Sequence, residues 1–223
     1  MARQYRGCSH LYYAIATETS EGITFGTVKQ LAPVKAVSRD VASDNEKVYA
    51  DNVVQQVTYG ATSITRTFDT TRIEAAVAAE LLGNTAITIG DLKAYATKAD
   101  GSARPYVAIG YALHDGNIDK PVELVWSYLN KINSISKTAN TIDDGTGSEG
   151  QSVEATSVAP KIAWTTTGER NLDFVLAIPD DATAAEAAEL ITAFFAQVVT
   201  PDNAAEVLTP EEPAEQTNTT TNP

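Results

Sequence analysis

The sequence predicts a mainly β protein carrying two helices, and three features of the chain predict it. Short runs of β-branched and aromatic residues recur between glycine and proline turn signals. Residues 61–68 alternate, with Ile64 and Phe68 on one side and Ser63, Thr65 and Thr67 on the other, the period of a half-buried strand. Only two stretches change to helical spacing with capping signals at their ends.

Taken in order, residues 11–16 and 23–37 read as strands punctuated by Gly22, Gly26 and Pro33, and together suggest an N-terminal hairpin. Residues 39–60 are charged and polar, too long for a tight turn, and bear no reactive constellation, so they read as a long loop whose use is contact with another protein. In the alternating strand that follows, Arg66 shares the apolar face and is the one misfit. Ile73, Val77 and Leu81, four apart, then give a helix with a capping box of Thr71 and Glu74 and a stop at Gly83. Short strands around 93–97 and 105–113, with Asp100-Gly101 between them, suit a hairpin, and His114-Asp-Gly-Asn117 is a further turn.

Residues 122–137 are rich in strand formers but would extend roughly 50 Å, so the segment must bend, carry a bulge or serve two sheets. Its expected partner is 152–158, across the glycine-rich 143–150 connection, and Trp164 and 172–178 supply the last strands. The second helix covers 184–198, with a capping box of Thr183 and Glu186 and a stop at Thr200-Pro201. Ala187, Leu190, Ile191, Phe194 and Val198 share one of its faces, which predicts that it covers an apolar surface. From Thr209 onward no apolar side chain exceeds alanine, and 209–223 reads as a disordered acidic and polar tail.

With 223 residues the chain is long enough for a full core without staples, and 43% hydrophobic with 20% charged residues is ordinary for a globular domain. No apolar run is long enough to cross a bilayer as a helix, and the first residues are not followed by a signal-peptide core, so synthesis and folding in a cytoplasm are expected. Cys8, the single cysteine, has no internal disulfide partner and reads as a strand-end residue. Residues 1–111 balance eleven cations with eleven anions, whereas 112–223 hold five against eighteen, so the whole net charge of −13 lies in the second half. A field of that sign disfavours gripping nucleic acid and suits letting DNA pass without sticking.

Candidate chemistry is sparse. Gly145-Thr-Gly147-Ser-Glu-Gly150 has the letters of a dinucleotide fingerprint, but a strand pattern follows it, and Asp143, Asp144 and Glu149 would face the phosphates with like charge. In a calcium-loop register the same segment puts Ile142 and Gln151 at ligand positions. His10 and His114 have no zinc or nucleophile-activating spacing, and Asp180-Asp181 is explained by the positive end of the helix it precedes. No catalytic, metal or cofactor residue is assigned, and the chain is not expected to be an enzyme.

Several segments, among them Met1-Ala-Arg-Gln-Tyr-Arg-Gly, Gly22-Ile-Thr-Phe-Gly-Thr-Val-Lys-Gln, Glu46-Lys-Val-Tyr-Ala-Asp-Asn-Val-Val and Tyr59-Gly-Ala-Thr-Ser-Ile-Thr-Arg-Thr-Phe, closely resemble the major tail proteins of long-tailed phages and prophages of Gram-positive bacteria. So does the run from Ile135 to Gly150, and the similarity extends from Met1 to about Ala205. The resemblance implies a tail-tube domain over 1–208, with two packed antiparallel sheets in a β-sandwich or partial barrel, a flanking helix, and the 183–199 helix as an addition to the minimal plan. It implies hexameric rings stacked into the tail tube of a virion, a conduit for genomic DNA that passes without specific binding. Partners would be the chain itself and the tape measure, tail-tip and tail-terminator proteins, with no membrane and no cofactor. By the same resemblance the N-terminal arm 1–9 and the 39–60 segment reach the next ring, the latter with Arg39, Asp40, Asp44, Glu46, Lys47, Tyr49 and Asp51. Asp143, Asp144 and Glu149 are assigned to the lumen or to the seam between rings. The alternative reading is a carbohydrate-binding β-sandwich module of a tail tip or baseplate.

Overall fold

A computed structural model describes residues 4–50, 53–117, 119–138 and 150–209, of which 44–50, 53–59 and 102 are described by their backbone alone. The mainly β expectation holds. One antiparallel sheet of nine strands contains β1 (Gly7–Glu18), β2 (Ile23–Phe25), β3 (Lys29–Gln30), β4 (Val34–Ala50), β5 (Val53–Thr70), β8 (Tyr106–His114), β9 (Glu123–Thr138), β10 (Gly150–Ser157) and β11 (Asp173–Ala177). Its order is β2-β1-β8-β9-β10-β5-β4, with β3 also beside β1 and β11 also beside β9. A separate two-stranded hairpin is built from β6 (Thr85–Ile89) and β7 (Leu92–Ala96).

Where two packed sheets were expected, a single hydrogen-bonded sheet curls so that β1 and β4, distant in strand order, pack against each other. The bend is carried by β9, the segment too long to stay straight. Between Asn130 and Ser127 it advances three residues while β8 advances two, and it gains another residue opposite Glu154 and Ala155 of β10. Each extra residue is a bulge that sharpens local twist. The N-terminal part of β9 therefore pairs with β8 and β11, and its C-terminal part pairs with β10.

Curling gives the sheet two buried faces. Leu11, Tyr13, Phe68, Val107, Ile109 and Tyr111 fill the inside, closed by Ala78 and Leu81 of α1 (Ala75–Leu82). On the outside Ala14, Ala108, Ala112, Leu124 and Trp126 lie under α2 (Ala184–Ala196), which contributes Phe194 and Phe195. Strictly alternating residues of β8 serve the two cores, which is why its sequence is a continuous apolar run. Trp126 Nε1 donates to the carbonyl of Phe194 at 2.9 Å and fastens α2 to the sheet. Gly110 lies beneath that indole, where a Cβ would come within 2.9 Å of the ring.

Several local expectations hold. The 152–158 segment pairs with the long strand as β10, residues 23–30 pair back on β1, and α2 opens with the Thr183–Glu186 capping box. Gly83 ends α1 at φ 65°, a left-handed conformation that costs glycine little.

Others are corrected. Residues 39–60 do not form a loop: β4 and β5 pair from Val34 and Thr70 out to Ala50 and Val53. The ladder satisfies the backbone of a polar segment whose side chains show no apolar face to mark it as strand. Thr71 and Glu74 form no capping box; the Thr71 amide bonds the Pro33 carbonyl, the Ile73 amide is met by Gln151 Oε1 at 2.8 Å, and the helix starts later, at Ala75. Residues 93–97 pair with β6, not with 105–113, which joins β1 and β9. Trp164 lies in a turn closed by its own carbonyl and the Gly168 amide, and a short α3 (Ala204–Leu208) follows α2 where no helix was expected. The 143–149 connection and the tail beyond 209 lie outside the described residues.

Candidate assembly surfaces

The β4–β5 pair reaches well past the rest of the sheet. β10 covers β5 only from Thr65 to Thr70, so from the pair Val41–Ile64 outward the two strands pair only with each other among the described residues. About eleven residues at ~3.3 Å each make this ribbon roughly 35 Å long. Two register shifts, beyond Ser43–Thr62 and beyond Val48–Gln56, each add a residue to β5 and bend it. Val41, Ser43, Gly60 and Thr62, at its described root, are exposed, and β4 pairs with no strand but β5 among the described residues.

The root itself is fixed rigidly. Arg66, the misfit on the apolar face, is completely buried. Its Nη1 donates to Ser157 Oγ at 2.7 Å and its Nη2 to Asp173 Oδ2, while Arg39 Nη2 reaches the same carboxylate oxygen at 3.2 Å. Arg39 and Arg66 are cross-strand partners, so the carboxylate of Asp173 neutralises two like charges placed opposite each other. Asp173 opens β11, and this cluster thus ties β11 to β4 and β5 across the inside of the curled sheet. Ser157 and Ser127 both donate to Asn130 Oδ1, at 3.1 and 3.0 Å, extending the network to β9. Burial, with the charges of Asp173 and Asp202 adding to it, pushes the Tyr128 hydroxyl up from its ordinary value and keeps it protonated.

Of the ten residues assigned to assembly, Arg39 and Asp40 lie exposed at the root of the ribbon, with Arg39 also committed to Asp173. Asp44, Glu46, Lys47 and Tyr49 are placed along β4, where Glu46 pairs with Thr58, Lys47 with Val57 and Tyr49 with Val54. Asp51, Asp143, Asp144 and Glu149 lie outside the described residues, as do residues 1–3 of the N-terminal arm. Sequence reading missed Asp173 altogether, because nothing local distinguishes a strand-start aspartate that meets an arginine from a solvated one.

A second cluster also escaped it. Ser9 Oγ lies 2.6 Å from His10 Nδ1 and 2.7 Å from His114 Nε2, and His114 Nδ1 lies 2.9 Å from the Asn117 carbonyl. One proton arrangement satisfies all of them: His114 Nδ1–H donates to Asn117, Ser9 donates to His114, and His10 donates to Ser9. His10 occupies a bulge between β1 and β8 at φ 56°, and its ring stacks on Phe195 of α2 with 5.7 Å between centroids. Burial, and secondly the charge of His114, hold the His10 imidazole below its usual 6.5. The unfolded chain therefore binds the proton more readily, so this contribution to stability is intact above about pH 6.5 and is lost as pH falls toward the lowered folded value. The thermal midpoint is expected to drop on acidification below that pH, and His10→Asn, which tolerates the left-handed backbone, to flatten the drop; an unchanged slope would exclude His10 as its source.

Among the described residues no group of three or more His, Cys, Asp or Glu is placed to hold a metal ion, and no helix is long and apolar enough to cross a membrane. No protein-family model and no curated protein matches the chain. Solved structures that resemble it include the tube-terminating cap of the anti-feeding prophage, with 9% identity and a TM-score of 0.41 over 80% of this chain and 95% of that one. The sheath–tube complex of an extracellular contractile injection system in its extended state aligns at 12% identity and a TM-score of 0.39, over 75% of this chain and 88% of that one. The virion of a native gene transfer agent aligns at 11% identity and a TM-score of 0.34, over 65% of this chain and 90% of that one. Similarity at this level does not place the chain in a family.

Proposed function

We propose that this protein is a non-enzymatic building block of a phage-type tail tube, in which six copies form a ring and rings stack around a bore that conducts genomic DNA. The observation that carries the reading is the β4–β5 ribbon, anchored firmly at its root and without a covering strand beyond it among the described residues. Isolated two-stranded ribbons are marginal in water, and a long unpaired edge invites pairing with another chain, so the arm gains its stability from a neighbouring subunit. The segment resemblances supply the identity of the assembly, and the acidic second half of the chain suits a wall past which phosphates slide. In this reading the protein is made in the host cytoplasm, resides in the virion tail, and meets the tape measure, tail-tip and tail-terminator proteins at the bore and the two ends.

The purified full chain, concentrated alone or with a tail-tip initiator and viewed by negative-stain electron microscopy, is expected to show stacked rings with a central hole. A chain that stays monomeric under all of these conditions contradicts the proposal.

A further inference from the structure

Sheet pairing brings together a serine and a histidine that stand 105 positions apart in the chain. Ser9 pairs with Ala112 and Gly7 with His114 in the β1–β8 ladder, so Ser9 and His114 share one face of the sheet. The far end of their hydrogen-bond chain fixes its direction. A backbone carbonyl only accepts, so Asn117 takes the Nδ1 proton of His114, and the Nε2 lone pair is left facing Ser9 Oγ at 2.7 Å. Ser9 therefore donates to an imidazole held in the tautomer of a base. From its other side His10 Nδ1 donates to the same Oγ at 2.6 Å, where it meets any negative charge that develops on the oxygen.

A nucleophile, a base in contact with it and a group that orients the base are the parts by which an activated serine is recognised on unrelated folds. The backbone is bent to complete the set. In a regular strand residues 9 and 10 point to opposite faces, but His10 sits at φ 56°, the one non-glycine residue with positive φ among the described residues. That turn lays its ring on the side of Ser9, where it stacks on Phe195 of α2. Ser9 is only half-buried, so a small molecule reaches Oγ, whereas His114 is 3% exposed and shielded from bulk water.

We infer that Ser9 is a covalent modification site: a nucleophile that takes the acyl group of an activated carboxylic ester, with His114 as its general base. Oγ bonds to the carbonyl carbon of the ester while its proton passes to His114 Nε2. The bond from that carbon to the leaving oxygen then breaks, and His114 returns the proton to the leaving oxygen. The products are acyl-Ser9 and a free alcohol or phenol. One acylation per chain is not turnover, so the inference goes beyond the tail-tube reading without resting on it.

The test treats the full chain, kept dilute so that it stays unassembled, with p-nitrophenyl acetate and locates the acetyl groups by peptide mass spectrometry. Ser9 of the folded chain is expected to be acetylated about 100-fold faster than Ser9 of the same chain unfolded in urea, as a positioned base supplies. Equal rates in the two states, or acetyl groups confined to Cys8 and the lysines, overturn the inference. His114→Gln is expected to lose the acceleration, because its amide oxygen can accept from Ser9 where Nε2 does but takes up no proton. Acetylation of Ser9 at the wild-type rate in a folded His114→Gln chain overturns the role of the base. Should that variant not fold, the ratio of folded to unfolded rates in the wild-type chain decides alone.

Discussion

Asp173→Ala is expected to cost about 3–5 kcal/mol of stability, because it strands a completely buried arginine. Arg66 would keep its bond to Ser157 but lose the only negative charge that pairs with it among the described residues, and complete burial keeps its guanidinium from bulk solvent. Arg39, opposite Arg66 in the ladder and partly exposed, would add like-charge repulsion. For a chain of this size the loss corresponds to a fall in thermal midpoint on the order of 6–20 °C. The native pair is not an optimal one, since Arg66 Nε and Asp173 Oδ1 have no hydrogen-bond partner among the described residues. Replacing both groups, as Arg66→Met with Asp173→Leu, is therefore expected to recover most of the loss, as buried ion pairs exchanged for apolar residues commonly do. Urea unfolding of wild type, both single variants and the double variant, at concentrations low enough to keep assembly from adding apparent stability, measures this directly. A single variant within about 1 kcal/mol of wild type would mean that the cluster is solvated.

Arg66 also shows how far the sequence could be read. Alternation in 61–68 put its side chain on the face of Ile64 and Phe68, which is where it lies, but periodicity says nothing of a partner 107 positions later. The two capping boxes make the same point at shorter range. Thr183 and Glu186 form the motif, while amides near Thr71 are taken by the Pro33 carbonyl, just before β4, and by Gln151 of β10. Turn signals located hairpins without saying which strands pair: Gly90-Asp91 closes β6 on β7, with Gly90 at φ 60°, although Asp100-Gly101 carries the stronger two-residue signature. The 39–60 segment reads as a loop because its sequence shows no apolar alternation, and the regularity the structure describes there is backbone pairing. The contact role expected of this segment is carried over to the ribbon as part of the proposed function.

Shortening that ribbon is expected to abolish tube formation while leaving the subunit folded. Ser43 and Thr62 are cross-strand partners, so replacing residues 44–61 with an Asn-Gly turn closes a compact hairpin at a natural register. Ile64, Phe68 and the Arg66–Asp173 cluster lie on the retained side, and the described residues of both cores are untouched. Among the described residues the excised part pairs only with itself, so its removal is expected to change the unfolding free energy by no more than about 1 kcal/mol. Assembly, in contrast, is expected to stop short of tubes at every concentration, because the segment proposed to reach the next ring is gone. Light scattering and negative-stain microscopy measure this directly. Full-length tubes from the shortened chain would remove the ribbon from the assembly, and with it the observation on which the tail-tube reading chiefly rests.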